Sequence, residues 1–417
     1  MELDRSQMKI NSQKQKGFAL IFVMVFIAMI MAIVGDIVYQ TQITAKNSIV
    51  QEDQLLATMA ARTGVEFAKF LLILNNLSSS YQGATLPIPK NMYSILNGQP
   101  IGAESFSQIE SLTGINLSEA LAPEILEGLR AMKGYFVLNI SSENTKFNLN
   151  LLQSTYAGAA SNALLRIFSS PESEKFLSLY NYTPAQLVDN LSAYIKISAS
   201  DTSLNSRVEP DYNHLNLKYK PKHGALETVE ELRRIPGFEV DDIYNMYLPY
   251  FTIWPISGQQ NSLNINTAST ELIASLMVPR SQEVQEQEWD SFDDYRLKNT
   301  FAQNSIGTWF QKNIQSYAED KDADEIRTKI LGVTDSIYRI ECRGVVNNFE
   351  KKLVLVLSAN LPSSGGSGAG GGSGSGSGTG SASGAGSGSA AGSGSGAGGV
   401  SGSGSGAFNV LYSQWID

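Results

Sequence analysis

An unbroken apolar segment near the N-terminus constrains this chain more than any other feature of its sequence. Every residue from Phe18 to Val34 is apolar, and with the residues up to Val38 the segment reaches the roughly 20 residues that a helix needs to cross a bilayer. Basic residues precede the segment and acidic residues predominate after it. This asymmetry predicts a single-pass membrane protein with a cytoplasmic N-terminus and the bulk of the chain outside.

A cleaved secretory signal peptide is the alternative interpretation of this segment. Signal peptides have an apolar region of about 7 to 15 residues followed by a small-x-small cleavage site. The run here is longer and lacks a clear site of that kind, so the sequence favours a permanent anchor.

Composition limits the chemistry available to the rest of the chain. At 417 residues and 42% hydrophobic content the chain can bury real cores,. A net charge of -9 argues against a broad nucleic-acid-binding face,. One cysteine, Cys342, and two histidines exclude an intramolecular disulfide and a Cys/His zinc cluster,.

Periodicity divides the first part of the chain into a long helix and the start of a sheet. The apolar pattern continues from Val38 to about Leu77 without a proline, which predicts one helix that runs from the membrane into the outer compartment,. Loop-rich sequence follows up to Gly134. Tyr135 to Ile140 is predicted to be a strand, and Phe147 to Asn150 its partner.

A helical region then separates this strand from a hairpin. Leu151 to about Leu331 is helical in character, with predicted helices at Ala159–Phe168, Pro184–Ile195, Thr228–Ile235, Ser269–Met277 and Ile306–Ser316. Strand residues Ile337 to Val346, a turn at Asn347 and Asn348, and a returning strand from Lys351 to Leu357 predict the hairpin. The fold class is therefore α+β, with a small antiparallel sheet split by an inserted, mostly helical region.

The end of the chain combines a tether with an apolar tail. Residues 362 to 406 are almost wholly Gly, Ser and Ala, a composition that predicts a flexible tether with a root-mean-square span of about 37 Å. The final residues regain apolar and aromatic character from Phe408 to Ile416. We expect this tail to dock as a last strand, the alternative being an unanchored tail.

A short motif at the start of the apolar segment carries a family resemblance. Lys16 to Ile21, LysGlyPheAlaLeuIle, resembles the signature of type IV prepilins. The resemblance implies that a prepilin peptidase cuts between Gly17 and Phe18 and removes a basic leader. A membrane anchor preceded by a chance Lys-Gly-Phe is the alternative.

Further motifs narrow the resemblance to the K-type minor pseudopilins of type II secretion systems. Most members of the superfamily have Glu at the fifth mature position, where this chain has Phe22, and lacking that Glu is typical of the K type. The segments Thr228–Phe238, Leu248–Thr252 and Leu263–Ser269 resemble the K-family succession of a helix-hairpin-helix-like element, a Pro-Tyr link and an Asn-Thr-Ala-Ser helix start. In the last of these we expect Asn266 or Thr267 to be the N-cap.

The resemblance implies a division of the chain into segments. These are a prepilin leader (1–17), a transmembrane and periplasmic pilin helix (18–77), the first part of a pilin-like α+β domain (78–150), an inserted helical domain with helix-hairpin-helix-like elements (151–331), the remaining sheet strands (332–361 and 407–417) and a Gly/Ser-rich insertion (362–406).

The K-family resemblance also implies a calcium site. The matching positions in this chain are Asp201, Glu209 and Asp211, although the upstream acids of the family pattern are missing here. Calcium takes six to eight oxygen ligands, several of them anionic. Solvated loop acids without a metal are the alternative.

The function implied by the resemblance is structural. A K-type subunit in the inner membrane would cap the tip of the pseudopilus and initiate its assembly for export of folded proteins across the outer membrane. Its partners would be I- and J-type minor pseudopilins, the major pseudopilin, the prepilin peptidase and the inner-membrane assembly platform.

Two other function classes compete with this interpretation. A minor pilin of a type IV pilus or competence system, acting in adhesion or DNA uptake, has the same N-terminal signature. A membrane-tethered DNA receptor is disfavoured because acidic residues surround the hairpin-like element,, and no nucleic-acid partner is expected. His214 and His223 belong to no recognisable catalytic motif, so we expect no enzymatic activity,.

Overall fold

A computed structural model of the protein describes residues 4–80, 92–105, 123–196, 212, 220–260, 262–278, 286–314, 317, 321–359 and 408–416. The side chains of helix residues 4–19 and 76–80 are outside this description, as are those at 92, 123–125 and 286–288. The helices are α1 (Asp4–Ser80), α2 (Met92–Leu96), α3 (Pro123–Arg130), α4 (Ala157–Phe168), α5 (Pro171–Leu179), α6 (Pro184–Ile195), α7 (Asp241–Tyr247), α8 (Thr270–Met277), α9 (Glu286–Lys298), α10 (Ile306–Asn313) and α11 (Lys321–Lys329).

Short 3₁₀ helices at Glu143–Thr145, Leu149–Gln153, Val229–Arg234 and Leu248–Tyr250 connect several of these elements. The strands are β1 (Pro100–Gly102), β2 (Tyr135–Ser142), β3 (Phe147–Asn148), β4 (Phe251–Thr252), β5 (Leu263–Asn264), β6 (Leu331–Gly332), β7 (Ile337–Val346), β8 (Phe349–Ala359) and β9 (Phe408–Ile416).

Five strands form one antiparallel sheet in the order β1-β2-β7-β8-β9. β7 and β8 form the predicted hairpin, and Asn347 in its turn has φ +52°, a conformation that Asn tolerates better than most residues. The C-terminal tail is the last strand, as predicted, with Ala359 opposite Phe408 at its start. The α+β fold class is confirmed.

The predicted partner of the first long strand is wrong. β2 pairs with β1 and β7, whereas β3 pairs in parallel with β4. The chain leaves the sheet at Ser142, whose hydroxyl caps the 3₁₀ helix that follows. Asn148 then caps a second 3₁₀ helix, its side chain accepting a hydrogen bond from the Asn150 amide. Local side-chain capping therefore ends the strand pattern that the alternation predicts.

Alternation of side chains gives the sheet one apolar face, and α1 covers it. Phe136, Leu138, Ile340 and Cys342 are fully buried there together with Leu72 and other residues of α1. A second, larger core lies within the helical region between β2 and β7, and Ile337 and Val356 connect it to the far end of the sheet.

Helix starts in the inserted region follow local capping rules. Ser170 and Thr183 each precede a proline at the first helical position, and each accepts a hydrogen bond from the backbone of the first turn,. The helix at Thr270 begins differently from the prediction, because Ser269 is its N-cap. Asn266 instead accepts from the Phe301 amide at 2.8 Å, and Thr267 donates to a carboxylate.

Candidate assembly surfaces

The first half of α1 has no covering partner among the described residues. Every side chain from 20 to 50 is exposed, and Phe22 is 67% exposed. In the part of the chain that the structure describes, α1 is the one helix long and apolar enough to cross a membrane. An isolated helix with apolar residues on all sides is stable only where lipid or other helices surround it.

The predicted cleavage point lies within the backbone of α1. Gly17 and Phe18 fall inside Asp4–Ser80, and their side chains are not described. Cleavage between them stays a prediction. The helix continues past the apolar segment without a break, and the hydroxyls of Thr41 and Thr44 donate to the carbonyls of Ile37 and Gln40.

The second half of α1 packs on the sheet through small residues. Ala57, Ala61 and Gly64 face β7. A Cβ atom added at Gly344 would lie 2.1 Å from the carbonyl oxygen of Ala57, and one at Gly64 would lie 2.2 Å from Sγ of Cys342. Contact this close, with helix backbone at Gly344 and with buried side chains at Gly64, leaves room only for glycine at both positions,. The helix is therefore held close to the strand.

Between the two halves, α1 presents a set of exposed apolar side chains that we call the lateral stripe. Its members are Tyr39, Ile43 and Val50. They are spaced by four and by seven residues, which places them on one face of the helix. Exposed apolar residues at this density on one element mark a surface for contact with other helices.

The junction between the sheet and the inserted region contains the half-buried carboxylate of Asp335. The Oδ1 atom of Asp335 accepts hydrogen bonds from the Ser142 hydroxyl at 2.7 Å, the Asn264 amide at 2.9 Å and the Thr267 hydroxyl at 3.2 Å. Burial raises the pKa of Asp335, and these hydrogen bonds oppose the shift only in part,. One side chain thus connects β2, β5 and the chain entering β7.

A second carboxylate, which is buried, lies at the same junction in a different environment. Glu143 is 2% exposed and accepts from Arg339 Nε and from the Thr252 hydroxyl, both at 2.5 Å. Burial alone would raise its pKa, but the positive charges of Lys146 and Arg339 and the two hydrogen bonds outweigh burial and lower it. Glu143 is therefore ionised and links β4 to β7.

Asparagine side chains complete the junction by bonding to backbone groups. Asn144 accepts from the amides of Ser336 and Ile337, both at 2.8 Å. Asn150 donates to the carbonyls of Leu226 and Ile253 and accepts from the Leu226 amide. These bonds satisfy buried backbone groups that no sheet or helix pairs.

Sequence reasoning missed this junction. One feature of the sequence could have pointed to the junction: residues 141–150, SerSerGluAsnThrLysPheAsnLeuAsn, are mostly polar. Most of these residues are nevertheless buried in the structure. Their partners lie up to 196 residues away, so no local pattern connects them.

The predicted calcium ligands cannot be placed in this geometry. Asp201, Glu209 and Asp211 lie outside the described residues, and the calcium site stays a prediction. In the described ranges, no group of three or more His, Cys, Asp or Glu side chains is arranged to hold a metal ion.

The hairpin-like element is packed into the core of the inserted region. Residues 235–238 are buried, and Asn190 donates to the Pro236 carbonyl at 3.0 Å. Arg233 pairs with Asp241 and lies over the Tyr244 ring, 4.0 Å from its centroid. A loop that binds phosphate must expose its backbone amides, and this one does not.

Comparison with known proteins agrees with the predicted resemblance. Residues 145–256 match the family model described as type II secretion system (T2SS), protein K. The resemblance to the K family is confirmed. The K-family match begins at the junction and ends just after β4, so it contains Asn148, Asn150 and Thr252.

A solved structure is also similar to the chain. It is the crystal structure of the GspK-GspI-GspJ complex from the enterotoxigenic Escherichia coli type 2 secretion system, with 16% identity and a TM-score of 0.40. The alignment covers 54% of this chain and 75% of the other. No curated protein matches the chain.

Proposed function

We propose that this protein is a minor pseudopilin of K type, anchored in the inner membrane by α1, with its sheet and inserted region in the periplasm and no enzymatic role. The observation that carries the proposal is a single helix whose exposed apolar half is continuous with a half buried on an antiparallel sheet. The K-family match within the inserted region supports the type.

Processing by a prepilin peptidase is the first step of this function. Cleavage between Gly17 and Phe18 would leave the apolar helix in the membrane with a new amino group at its cytoplasmic end. Mass analysis of the N-terminus, in membranes from cells with and without the peptidase, tests this step. A chain that starts at Phe18 only when the peptidase is present supports it, whereas Met1 in both strains would refute the pseudopilin assignment.

Lateral contact with I- and J-type subunits would use the lateral stripe. The only cysteine is Cys342, which is buried, so a Cys342→Ala background allows single-cysteine cross-linking. Val50→Cys within the stripe should cross-link to an I- or J-type partner. Leu179→Cys, at a position 76% exposed on the inserted region, is the matched control and should not. Equal cross-linking from both positions would argue against the stripe as the contact.

The inserted region supports a position of this subunit at the tip. This region adds a large second core beside the far end of the sheet, where another subunit would otherwise stack. Such a subunit would initiate assembly, after which the inner-membrane platform adds the major pseudopilin and extends the filament to export folded proteins. Immunogold labelling of an epitope placed in the Gly/Ser tract should mark one end of isolated pseudopili; label along their length would contradict a tip position.

A minor pilin of a type IV pilus is the alternative that shares the N-terminal helix. The cross-linking experiment separates the two, because capture of pilus subunits in place of I- and J-type pseudopilins would assign the protein to a pilus.

A further inference from the structure

The outermost strand of the sheet, β9, buries much less of its surface than the strand beside it. None of its residues is buried, and Val410, Trp415 and Ile416 are 48%, 40% and 41% exposed. In the neighbouring strand β8, by contrast, every residue from Leu353 to Leu357 is buried. A strand with so few buried apolar contacts is typical of a segment that opens separately from the rest of a fold.

The side-chain contacts of β9 lie at two places outside the sheet. The Tyr412 ring has its centroid 6.0 Å from that of Trp254 in the inserted region. The Trp415 ring has its centroid 5.7 Å from the guanidinium carbon of Arg62 on α1. Each is a contact at the protein surface, so β9 is attached mainly by its backbone ladder to β8.

The connection between β8 and β9 weakens that attachment. Ala359 and Phe408 are opposite each other in the ladder, so a two-residue turn could join the strands, yet residues 360–407 separate them. A connection of that length lowers the equilibrium constant for docking of β9 about a hundredfold relative to a two-residue turn. The ladder is also irregular, because Leu411 has no opposite residue on β8,.

Release of β9 would uncover an edge of the sheet that suits one kind of occupant. The backbone groups of β8 that now bond to β9 would lose their partners, and an unpaired edge of this kind recruits another extended segment. The segment that occupies the edge in the structure, FNVLYSQWI, has no charged residue and is rich in large apolar and aromatic side chains. An uncharged extended segment of this composition is therefore what the edge accepts.

We propose that β9 is a releasable strand, which leaves β8 while the rest of the fold stays intact. The vacated edge of β8 then pairs with an uncharged extended segment of an adjacent subunit. A tether of the length of residues 360–407 holds β9 at a local concentration in the millimolar range, which a subunit in the same assembly can match and a dilute protein cannot. The proposal uses only the sheet and this connection, so its failure would leave the pseudopilin assignment intact.

Hydrogen exchange of the full-length protein in detergent tests the release of β9. The amides of β9 should exchange faster than those of β2 and β7, which lie inside the same sheet. Replacing residues 360–407 with Asn-Gly should slow exchange in β9 about a hundredfold and leave exchange in β7 unchanged. A variant with the Gly and Ser residues of the tract shuffled is the control and should exchange as the wild type does. Equal protection of β9 and β7, or exchange in β9 that the shorter connection does not slow, would overturn the proposal.

A second experiment tests the vacated edge of β8. Residues along a strand alternate in the side to which they bond, so Tyr412→Pro together with Ser413→Pro removes one donor that faces β8 and should release β9. A fluorescent peptide with the sequence of residues 408–417 should bind this double variant, measured by fluorescence anisotropy. It should not bind the wild type at micromolar concentration, because the protein's own β9 occupies the edge. The same peptide carrying both prolines is the control and should not bind.

The other results of this experiment count against the proposal. If the double variant keeps the protection of its β2 and β7 amides but does not bind the peptide, β8 is not a docking edge. If it loses that protection, β9 is required for the fold and is not releasable. Equal binding of the wild type, or of the peptide with both prolines, would mean that the peptide binds elsewhere.

Discussion

Two carboxylates at the junction, the buried Glu143 and the half-buried Asp335, have pKa values that shift in opposite directions. Glu143 faces the Arg339 guanidinium, whereas Asp335 faces neutral hydroxyl and amide donors. A cationic partner stabilises the ionised form of a carboxylate and lowers its pKa. Where the partners are neutral, burial destabilises the ionised form and the pKa rises.

We expect Glu143→Gln to destabilise the protein and Asp335→Asn to leave its stability nearly unchanged. In Glu143→Gln the partly buried Arg339 guanidinium loses the negative charge that it pairs with, which should lower the free energy of unfolding by about 3 kcal/mol. The asparagine keeps an oxygen that accepts from Ser142 and Asn264. Thermal unfolding of the full chain at neutral pH measures both, and an Asp335→Asn variant as unstable as Glu143→Gln would contradict this account.

The lowered pKa of Glu143 predicts how the stability of the protein depends on pH. The folded pKa of Glu143 is lowered, so its contribution is present above the unfolded value and is lost as the pH falls below 4.5,. The wild-type unfolding midpoint should therefore drop more steeply than that of Glu143→Gln on acidification. Parallel pH profiles of the two proteins would show that Glu143 does not carry the effect.

Phe22 in the apolar part of α1 allows a test of how this helix associates with those of other subunits. It is exposed on the apolar part of α1, and a carboxylate at that depth is costly without a partner. We expect Phe22→Glu to reduce co-purification with I- and J-type subunits, while the control Phe22→Leu retains it. Undiminished co-purification of Phe22→Glu would mean that a neighbouring subunit supplies a partner charge.

At the scale of elements, the contact between α1 and β7 fixes the architecture. The helix backbone at Ala57 and Ala61 lies directly over Gly344. Side chains of ordinary size hold a helix about 10 Å above a sheet, and here their absence lets the two backbones meet locally.

Gly344→Ala should destabilise this contact by about 1–3 kcal/mol, because the added methyl meets backbone atoms that cannot rotate away,. Gly158→Ala is the matched control, since nothing lies within 4 Å of its added Cβ and alanine favours the helix,. Chemical denaturation compares the two variants. Equal stabilities would show that α1 can move off the sheet at no cost.

At the scale of the whole molecule, the connection between β8 and β9 is far longer than the sheet requires. Ala359 and Phe408 are directly opposite each other in the ladder, and a two-residue turn joins strands in that arrangement. The Gly/Ser tract is predicted from its composition to be a tether. Its length therefore increases the entropic cost of closing the loop between β8 and β9, which lowers the free energy of unfolding.

Replacing residues 360–407 with Asn-Gly should stabilise the protein by about 3 kcal/mol, from the logarithmic dependence of closure entropy on loop length. A variant with the Gly and Ser residues of the tract shuffled should be as stable as the wild type. Loss of stability on shortening would show that the tract makes stabilising contacts. Denaturant unfolding midpoints decide between these results.

Much of the fold was predictable because its determinants are local. The alternation from Ile337 to Val346 identifies a strand with one buried face, and the structure buries Ile340 and Cys342 on that face. The paired Asn residues identify the turn. The candidate site was less predictable: the exposed half of α1 follows from the apolar run, but the junction at Asp335 does not follow from any short segment.

The sequence alone determined the elements whose cause lies within a few residues of each position: the long apolar helix, the β7–β8 hairpin, the docked tail and the K-family resemblance. The tertiary structure decided which strand pairs with β2, which residue caps the helix at Thr270, and how Asp335 and Glu143 find their partners. These features depend on hydrogen-bonding groups that are far apart in the chain, and packing alone brings them together. Periodicity reports which face of an element is buried, but not which other element buries it.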